Sequence, residues 1–155
     1  MNNTKDLISE AKKLYENKNF FKAKSYLLSA LKNLKLDNLS KLKLYILISD
    51  ISYKINDFND SELYLLKYIK IDNSNSKVFN WLGNTYQKKR DFVNSEKFYT
   101  KAIDLDKNNQ TALVNLAILY HNLGNKKKAV FFYKKVLDNN PNNIGALYNL
   151  SNLEK

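Results

Sequence analysis

The segment DFVNSE at residues 91–96 closely repeats the segment DFNDSE at residues 57–62. The spacing between these segments also brings Tyr86 onto Tyr120. A fixed period of about 34 residues indicates a chain built from one repeated supersecondary unit. The units that follow from this period are 4–37, 42–75, 76–109, 110–143 and a partial unit, 144–155, with four extra residues at 38–41.

Each unit contains two stretches with apolar residues at helical spacing, separated by a short polar turn. In unit 76–109 the first stretch carries Phe79, Leu82 and Tyr86, and the second carries Tyr99 and Ala102. Apolar residues spaced in this way predict amphipathic helices. Three glycines and one proline in 155 residues also favour a helical chain over a strand-rich one, which needs many turn residues.

Two columns of small residues indicate where the helices of one hairpin cross, because close approach requires small side chains. Their members are Ala11, Ser49, Gly83, Ala117 and Ser151, and then Ala23, Ser61, Ser95 and Ala129. The predicted fold is therefore an all-α superhelical array of antiparallel hairpins. We expect one domain over residues 1–155, with residues 144–155 forming a C-terminal capping helix. The extra residues 38–41 are expected to lengthen the first connection between hairpins or the helix before it.

The unit length and the pattern of small, large and aromatic places resemble the tetratricopeptide repeat family over nearly the whole chain. Pro141 supplies the proline expected near the end of a unit, whereas Asn73 and Lys107 stand at the matching places. The resemblance implies that first helices line a concave groove and second helices form the convex face. It further implies that the chain is a scaffold for protein partners, with no enzymatic activity.

The places implied to face the groove are rich in asparagine in the C-terminal half. An asparagine amide can donate to a peptide carbonyl and accept from a peptide N–H, so a row of them suits an extended segment. The alternative is that asparagine is simply abundant in this chain. The candidate groove residues are Lys77, Asn80, Asn84, Gln87, Lys88, Asn115, Ile118, His121, Asn122, Tyr148, Asn149 and Asn152.

Trp81 is the only tryptophan, and two uses are open for it: a groove-facing anchor or a contact between repeats. The family's clamp for a C-terminal carboxylate is expected to be absent. Asn84 and Asn115 match two of its places, but Asn80, Gly145 and Asn149 replace its cations. Without those cations the clamp would lose its charge-assisted hydrogen bonds.

Composition argues against catalysis and against cofactors. Cysteine is absent and His121 is the only histidine, so thiolate sites and sites with two imidazoles are excluded. The three glycines are too far apart for a phosphate-binding loop. No apolar stretch approaches the about 20 residues of a membrane span, and no secretory signal is visible. We expect a soluble, cytoplasmic protein without a cofactor or a metal.

The net charge of +11 leaves two interpretations open. An acidic partner would fit it, and nucleic acid is the alternative to a protein ligand. However, 25 of the 26 cationic residues are lysine. Proteins that recognise phosphate groups usually favour arginine, whose planar guanidinium group can donate two hydrogen bonds to one phosphate. We expect a protein or peptide partner that is acidic or extended, and no specific nucleic acid. Exposed apolar residues of segment 144–155 also predict self-association through the C-terminal helix.

Overall fold

The computed structural model describes residues 4–153, with side chains from residue 6 onwards. This part of the chain consists of helices joined by short turns and contains no strand. The helices are α1 (Thr4–Glu16), α2 (Phe20–Asn33), α3 (Asn38–Lys54), α4 (Phe58–Ile69), α5 (Ser76–Lys88), α6 (Phe92–Leu105), α7 (Gln110–Asn122), α8 (Lys126–Asn139) and α9 (Ile144–Leu153). The predicted all-α fold is confirmed, and each of the units 42–75, 76–109 and 110–143 holds one helical hairpin.

The backbone divides into two compact units, Met1–Asn73 and Ser74–Lys155. In the first, α1 packs on α2, α2 on α3 and α3 on α4. In the second, each helix from α5 to α9 packs on the next, and α5 also contacts α7. The single domain over 1–155 stays a prediction, and the last two residues of the partial unit 144–155 lie outside the described part.

Four turns of three residues, each inside one hairpin, share one backbone geometry. The middle residue of each has a left-handed conformation: φ is 58° at Lys18, 61° at Asn56, 60° at Arg90 and 72° at Gly124. In the turn after α5, the Asp91 N–H donates to the Tyr86 carbonyl over 2.9 Å and the Arg90 N–H to the Gln87 carbonyl over 3.0 Å. This pair of bonds is a Schellman motif, which satisfies carbonyls at the end of a helix.

The third residue of each turn also starts the next helix. Asn19, Asp57, Asp91 and Asn125 each accept, through a side-chain oxygen, the backbone N–H of the residue three places on. Such caps satisfy donors that have no partner inside the helix. One turn therefore ends the first helix and begins the second, which holds the two helices antiparallel.

The small columns lie where the helices of each hairpin meet. Ala11, Ala23, Ala117 and Ala129 are buried, and so are Ser49, Ser61 and Ser95. The Ser95 hydroxyl donates to the Gly83 carbonyl over 2.9 Å, from α6 to α5. A methyl group at Gly83 would lie 2.4 Å from Cδ1 of Tyr99, so the ring of Tyr99 rests directly on the glycine.

The expected position of the extra residues 38–41 is wrong. They lengthen the helix that follows them, because α3 begins at Asn38 and has 17 residues. Asp37 accepts the Ser40 N–H over 2.8 Å and caps the helix at this earlier point. Leu34 and Leu36, in the preceding connection, pack against the core of the first unit and hold the chain there.

The structure accounts for Tyr68, which stands where other units have Ala30 or Ala102. Tyr68 is buried, and its hydroxyl donates to Asp72 over 3.1 Å. Helix α4 is the shortest second helix, with 12 residues. Because it ends at Ile69, the Tyr68 carbonyl accepts the Ile71 and Asp72 N–H groups in a tight turn. The larger ring is thus buried near the end of a helix that is two residues shorter than the other second helices.

Candidate functional site

The candidate groove residues of the second unit lie on three first helices, α5, α7 and α9. Most are accessible: Lys77, Lys88, Asn122, Tyr148 and Asn152 are exposed, and Asn84, Gln87, Asn115, Ile118, His121 and Asn149 are half-buried. Asn80 differs from the expectation for a groove residue, since it is only 4% exposed. The side chain of Asn80 is hydrogen-bonded to Asn115 on α7.

Asn115 connects α7 to α5 through its amide nitrogen. Nδ2 of Asn115 donates to Oδ1 of Asn80 over 3.0 Å and to Oδ1 of Asn84 over 3.0 Å. Its two amide protons can serve the two acceptors separately. The asparagine row is therefore joined by direct bonds between repeats, which fixes the orientation of these amides before any ligand arrives.

The buried ring of Tyr99 anchors the same network from α6. Its hydroxyl lies 2.6 Å from Oδ1 of Asn84 and 2.8 Å from Oε1 of Gln87. A phenol has one proton to donate, so it serves one of these oxygens. The other contact is satisfied when that amide presents its NH2 group to the phenol oxygen instead. Gln87 suits this exchange, because Oδ1 of Asn84 already accepts from Asn115.

In each of Asn84 and Asn115, the network uses one of the two polar atoms of the side-chain amide and leaves the other available to a ligand. Oδ1 of Asn84 is used, so its NH2 group is the part that can donate outward. Nδ2 of Asn115 is used, so its carbonyl oxygen is the part that can accept. One donor and one acceptor on neighbouring helices match the carbonyl and N–H of an extended peptide backbone.

Charge is almost absent from these three helices. Lys77 and Lys88, near the two ends of α5, are their only lysines, and the three helices contain no arginine, aspartate or glutamate. Within residues 74–153, the other lysines and the arginine lie on α6, α8 and the turns, as with the exposed run Lys126, Lys127 and Lys128 at the start of α8. The net charge of the chain is thus not concentrated on the candidate groove.

In the first unit, Asp50 on α3 neutralises part of the basic character of the first helices. The Tyr15 hydroxyl donates to Oδ2 of Asp50 over 2.6 Å, and Lys54 forms an ion pair with Asp50 at 2.7 Å. Burial opposes the charge on Lys54, but its bonds to Asp50 and Tyr15 raise its pKa above the usual value. Burial, together with the bond to Asp50, also raises the pKa of Tyr15.

Trp81, for which the sequence leaves two uses open, lies near the start of α5. Its side chain is 38% exposed and it lines an open cleft of about 340 Å³ in the second unit. The cleft has walls from the first turns of α5 and α7 and the turn before α7. Its lining residues are Ser76, Lys77, Asn80, Trp81, Asp106, Asn108, Asn109, Gln110 and Thr111.

Within residues 4–153 the model shows no group of three or more metal-ligating side chains. In the same range, none of the helices is long and apolar enough to cross a membrane.

Three solved structures show how closely known folds match this chain. The crystal structure of MamA protein matches with a TM-score of 0.85 and 19% identity, over 97% of this chain and 80% of that one. YrrB, described as a tetratricopeptide repeat protein with an unusual peptide-binding site, has a TM-score of 0.83 and 14% identity, over 96% and 74%. The first such domain of Spaghetti (RPAP3), bound to HSP90 peptide SRMEEVD, has a TM-score of 0.70 and 18% identity, over 79% and 96%.

Sequence comparison identifies the repeats themselves. No curated protein sequence matches the chain. Models of the tetratricopeptide repeat match residues 42–75, 76–109 and 111–143, which together make up more than half of its length. These matches begin and end within one residue of the units that the repeat period defines. The chain belongs to the tetratricopeptide repeat family.

Proposed function

We propose that this chain is a non-enzymatic scaffold that binds an extended segment of a partner protein along the first helices α5, α7 and α9. The observation that carries the proposal is the oriented amide network. Asn84 has a free amide donor and Asn115 a free carbonyl acceptor, and Asn149 continues the row on α9. An amide row of this kind holds a peptide backbone with little dependence on its side chains.

Structural relatives support a peptide as the ligand. Two domains of RPAP3 are described in complex with peptides of HSP90 and HSP70, and YrrB is described as having a peptide-binding site. This chain is not expected to bind a terminal carboxylate in the manner of the chaperone clamp. Asn80, Gly145 and Asn149 stand where that clamp would need cations, so an internal extended segment is the better ligand.

The charges of the groove favour acidic groups only near α5. Lys77 and Lys88 attract a carboxylate there, whereas Ile118 on α7 and Tyr148 on α9 offer apolar and aromatic surfaces. We therefore propose a partner segment that is extended throughout and acidic over part of its length. The proposed site includes Gln87, Asn122 and Asn152, with Asn80 holding Asn115 from beneath.

A selection from a library of random displayed peptides, followed by affinity measurements, tests this proposal. Peptides selected on the wild-type chain should bind the double variant Asn84→Ala, Asn115→Ala about tenfold or more weakly, because each lost hydrogen bond contributes about 1 kcal/mol. The matched control is Asn17→Ala, Asn142→Ala, which removes two exposed turn asparagines. Equal affinity for both double variants, with circular dichroism showing intact helices, would contradict the proposal.

Nucleic acid is the second candidate, and the charge of +11 is the observation that favours it. The tyrosines that could stack on bases weigh against it, because Tyr64, Tyr68, Tyr99, Tyr120 and Tyr133 are buried. Affinity for single-stranded RNA should fall steeply with salt if lysines merely neutralise phosphates. Submicromolar binding of RNA at physiological salt would favour this second candidate over the peptide.

A further inference from the structure

Trp81 lies at the repeat place that Asn115 and Asn149 occupy in the next two units. In unit 42–75 the same place is Leu47, which packs against the core of the first unit. Trp81 does not follow Leu47 into a core, since 38% of its side chain is exposed. The indole thus belongs to the same surface column as the groove asparagines.

Lys77 stands one helical turn before Trp81 on α5, and both line the cleft of about 340 Å³. Lys77 is exposed, and its ammonium forms no ion pair within residues 4–153. An apolar aromatic surface and a cation therefore lie side by side. The opposite wall is fixed, because Nδ2 of Asn109 donates to the Ser76 hydroxyl over 3.3 Å while its Oδ1 caps Ala112.

The distance between Lys77 and Trp81 determines which side chains of an extended ligand can reach both of them. Residues four apart on a helix have Cβ atoms about 5–6 Å apart. In an extended segment, residues two apart point to the same side and lie about 6.6 Å apart. An acidic side chain and an apolar side chain separated by one residue can therefore reach Lys77 and Trp81 together. Asp106 on the far wall accepts the Asn108 N–H over 3.1 Å through one of its two carboxylate oxygens.

We propose that the Trp81 cleft is a specificity pocket for an extended segment with an acidic and an apolar residue separated by one position. The apolar side chain stacks on the indole and the carboxylate pairs with Lys77. This inference rests on the proposed function, since the amide row holds the backbone of the same segment. It adds the side-chain preference that an amide row by itself does not provide.

The probe is a library of displayed random peptides, because the side-chain preference of the cleft can be measured with it without a natural ligand. Wild-type chain should enrich peptides with the acidic–x–apolar pattern in either direction. Trp81→Ser should abolish the apolar preference and weaken a selected peptide at least about tenfold, as expected for an aromatic anchor. Lys77→Gln should abolish the acidic preference and retain the apolar one.

Two matched controls separate the cleft from general changes of surface. Phe92→Ser removes an aromatic side chain that is also 38% exposed but lies on α6, and Lys101→Gln removes an exposed lysine of the same helix. Both should enrich the wild-type pattern. Two results would overturn this inference but not the proposed function. In the first, the selected peptides bind through Asn84 and Asn115 but lack the acidic–x–apolar pattern. In the second, Trp81→Ser still enriches that pattern. No enriched peptide at all would overturn the proposed function as well.

The fluorescence of the wild-type chain supplies a measurement that does not depend on a variant folding. Trp81 is the only tryptophan, so all indole emission reports on the cleft. A selected peptide should shift this emission to shorter wavelength and protect it from acrylamide. A peptide that binds without changing either property would show that Trp81 is outside the binding site, and would overturn the inference.

Discussion

At the residue scale, one backbone requirement recurs in all four hairpin turns, whatever side chain stands there. Glycine and asparagine, which stand at Gly124 and Asn56, tolerate this left-handed conformation. Lys18 and Arg90 have no such tendency, yet both have φ near 60°. The repeat geometry overrides their preference, because the Schellman bonds and the following cap fix both ends of the turn. This strain is a local cost that a substitution can remove.

Arg90→Gly should therefore raise the free energy of unfolding by about 0.5–1 kcal/mol. The left-handed conformation costs an L-residue about 1–2 kcal/mol, and the extra freedom of glycine in the unfolded chain offsets part of this gain. Urea denaturation followed by circular dichroism measures the change. Lys89→Gly is the control, because φ is −76° there and glycine should lower stability. A midpoint for Arg90→Gly at or below wild type would contradict the expectation.

Gly83→Ala should destabilise the second unit, although alanine is the better helix former by about 1 kcal/mol. The added methyl group would lie 2.4 Å from the Tyr99 ring, which is fully buried and bonded to the amide network. The melting temperature should fall. The reciprocal variant Ala117→Gly, at the equivalent place of the next hairpin, should lose only about 1 kcal/mol. A rise in melting temperature for Gly83→Ala would mean that the ring moves freely.

The amides show where reasoning from the sequence ends. Periodicity placed Asn80, Asn84 and Asn115 on first helices, and the structure agrees. Periodicity did not predict that Asn115 forms hydrogen bonds to Asn80 and Asn84, which precede it by 35 and 31 residues. Nor did it foresee that Asn80 would be buried. Exposure depends on which side chains meet across two helices, and a repeat place assigns only the face of a single helix.

At the element scale, helix boundaries follow their caps more than their repeat numbering. The extra residues 38–41 lie between α2 and α3, and they belong to α3 because Asp37 caps that helix at Asn38. Asp-x-x-Ser at 37–40 is the signal in the sequence that would have located this boundary. The start of α4 likewise follows its Asp57 cap. The repeat period gives the boundaries of the units, whereas the capping residues give the ends of the helices.

An ion pair between the second helices of the first unit predicts a pH-dependent contribution to stability. Lys24 on α2 lies 2.7 Å from Asp57 and 2.7 Å from Asp60, and its side chain is only 12% exposed. Lys24→Met should lower the free energy of unfolding by about 1 kcal/mol near neutral pH. Lys22→Met, an exposed lysine on the same helix, is the control and should have little effect.

The sign of the pH dependence follows from the shifted groups. The hydrogen bond from Lys24, with that from the Asp60 N–H, lowers the pKa of Asp57. Its contribution is therefore complete above the unfolded pKa of about 3.9 and is lost as pH falls through the lower folded value. Burial opposes the charge of Lys24, but its bonds to Asp57 and Asp60 raise its pKa. The contribution of Lys24 is present below about pH 10.4 and disappears as pH rises through the folded value. A difference between wild type and Lys24→Met that does not shrink on acidification would contradict this assignment.

The last helix, α9, carries the prediction of self-association. Ile144, Leu147 and Tyr148 are 83%, 47% and 68% exposed, whereas Leu150 is half-buried. No residue of α9 is charged, so α9 itself adds no charge repulsion between two positively charged copies. Sedimentation of wild-type chain should show association that increases with concentration, and Leu147→Glu should reduce it. Asn152→Glu, on the same helix, is the control. A wild-type monomer at every concentration would leave α9 as a simple cap.

At the scale of the whole molecule, the charge of +11 and the candidate groove are largely separate. The three first helices of the second unit contain two lysines and no acid, so net charge predicts little about what they bind. The sequence predicted the family and the hairpins because both depend on local periodicity. It could not give the amide orientations or the Trp81 cleft, which depend on contacts between successive repeats.

The most direct test of the central claim is two-dimensional 15N NMR of the chain titrated with a peptide selected on it. The side-chain NH2 signals of Asn84, Asn115 and Asn149 should shift with the same dissociation constant. Those of the turn residues Asn17 and Asn142 should stay in place. Shifts confined to α6 and α8, with the three groove amides unchanged, would show that the partner binds the second helices and would contradict the account.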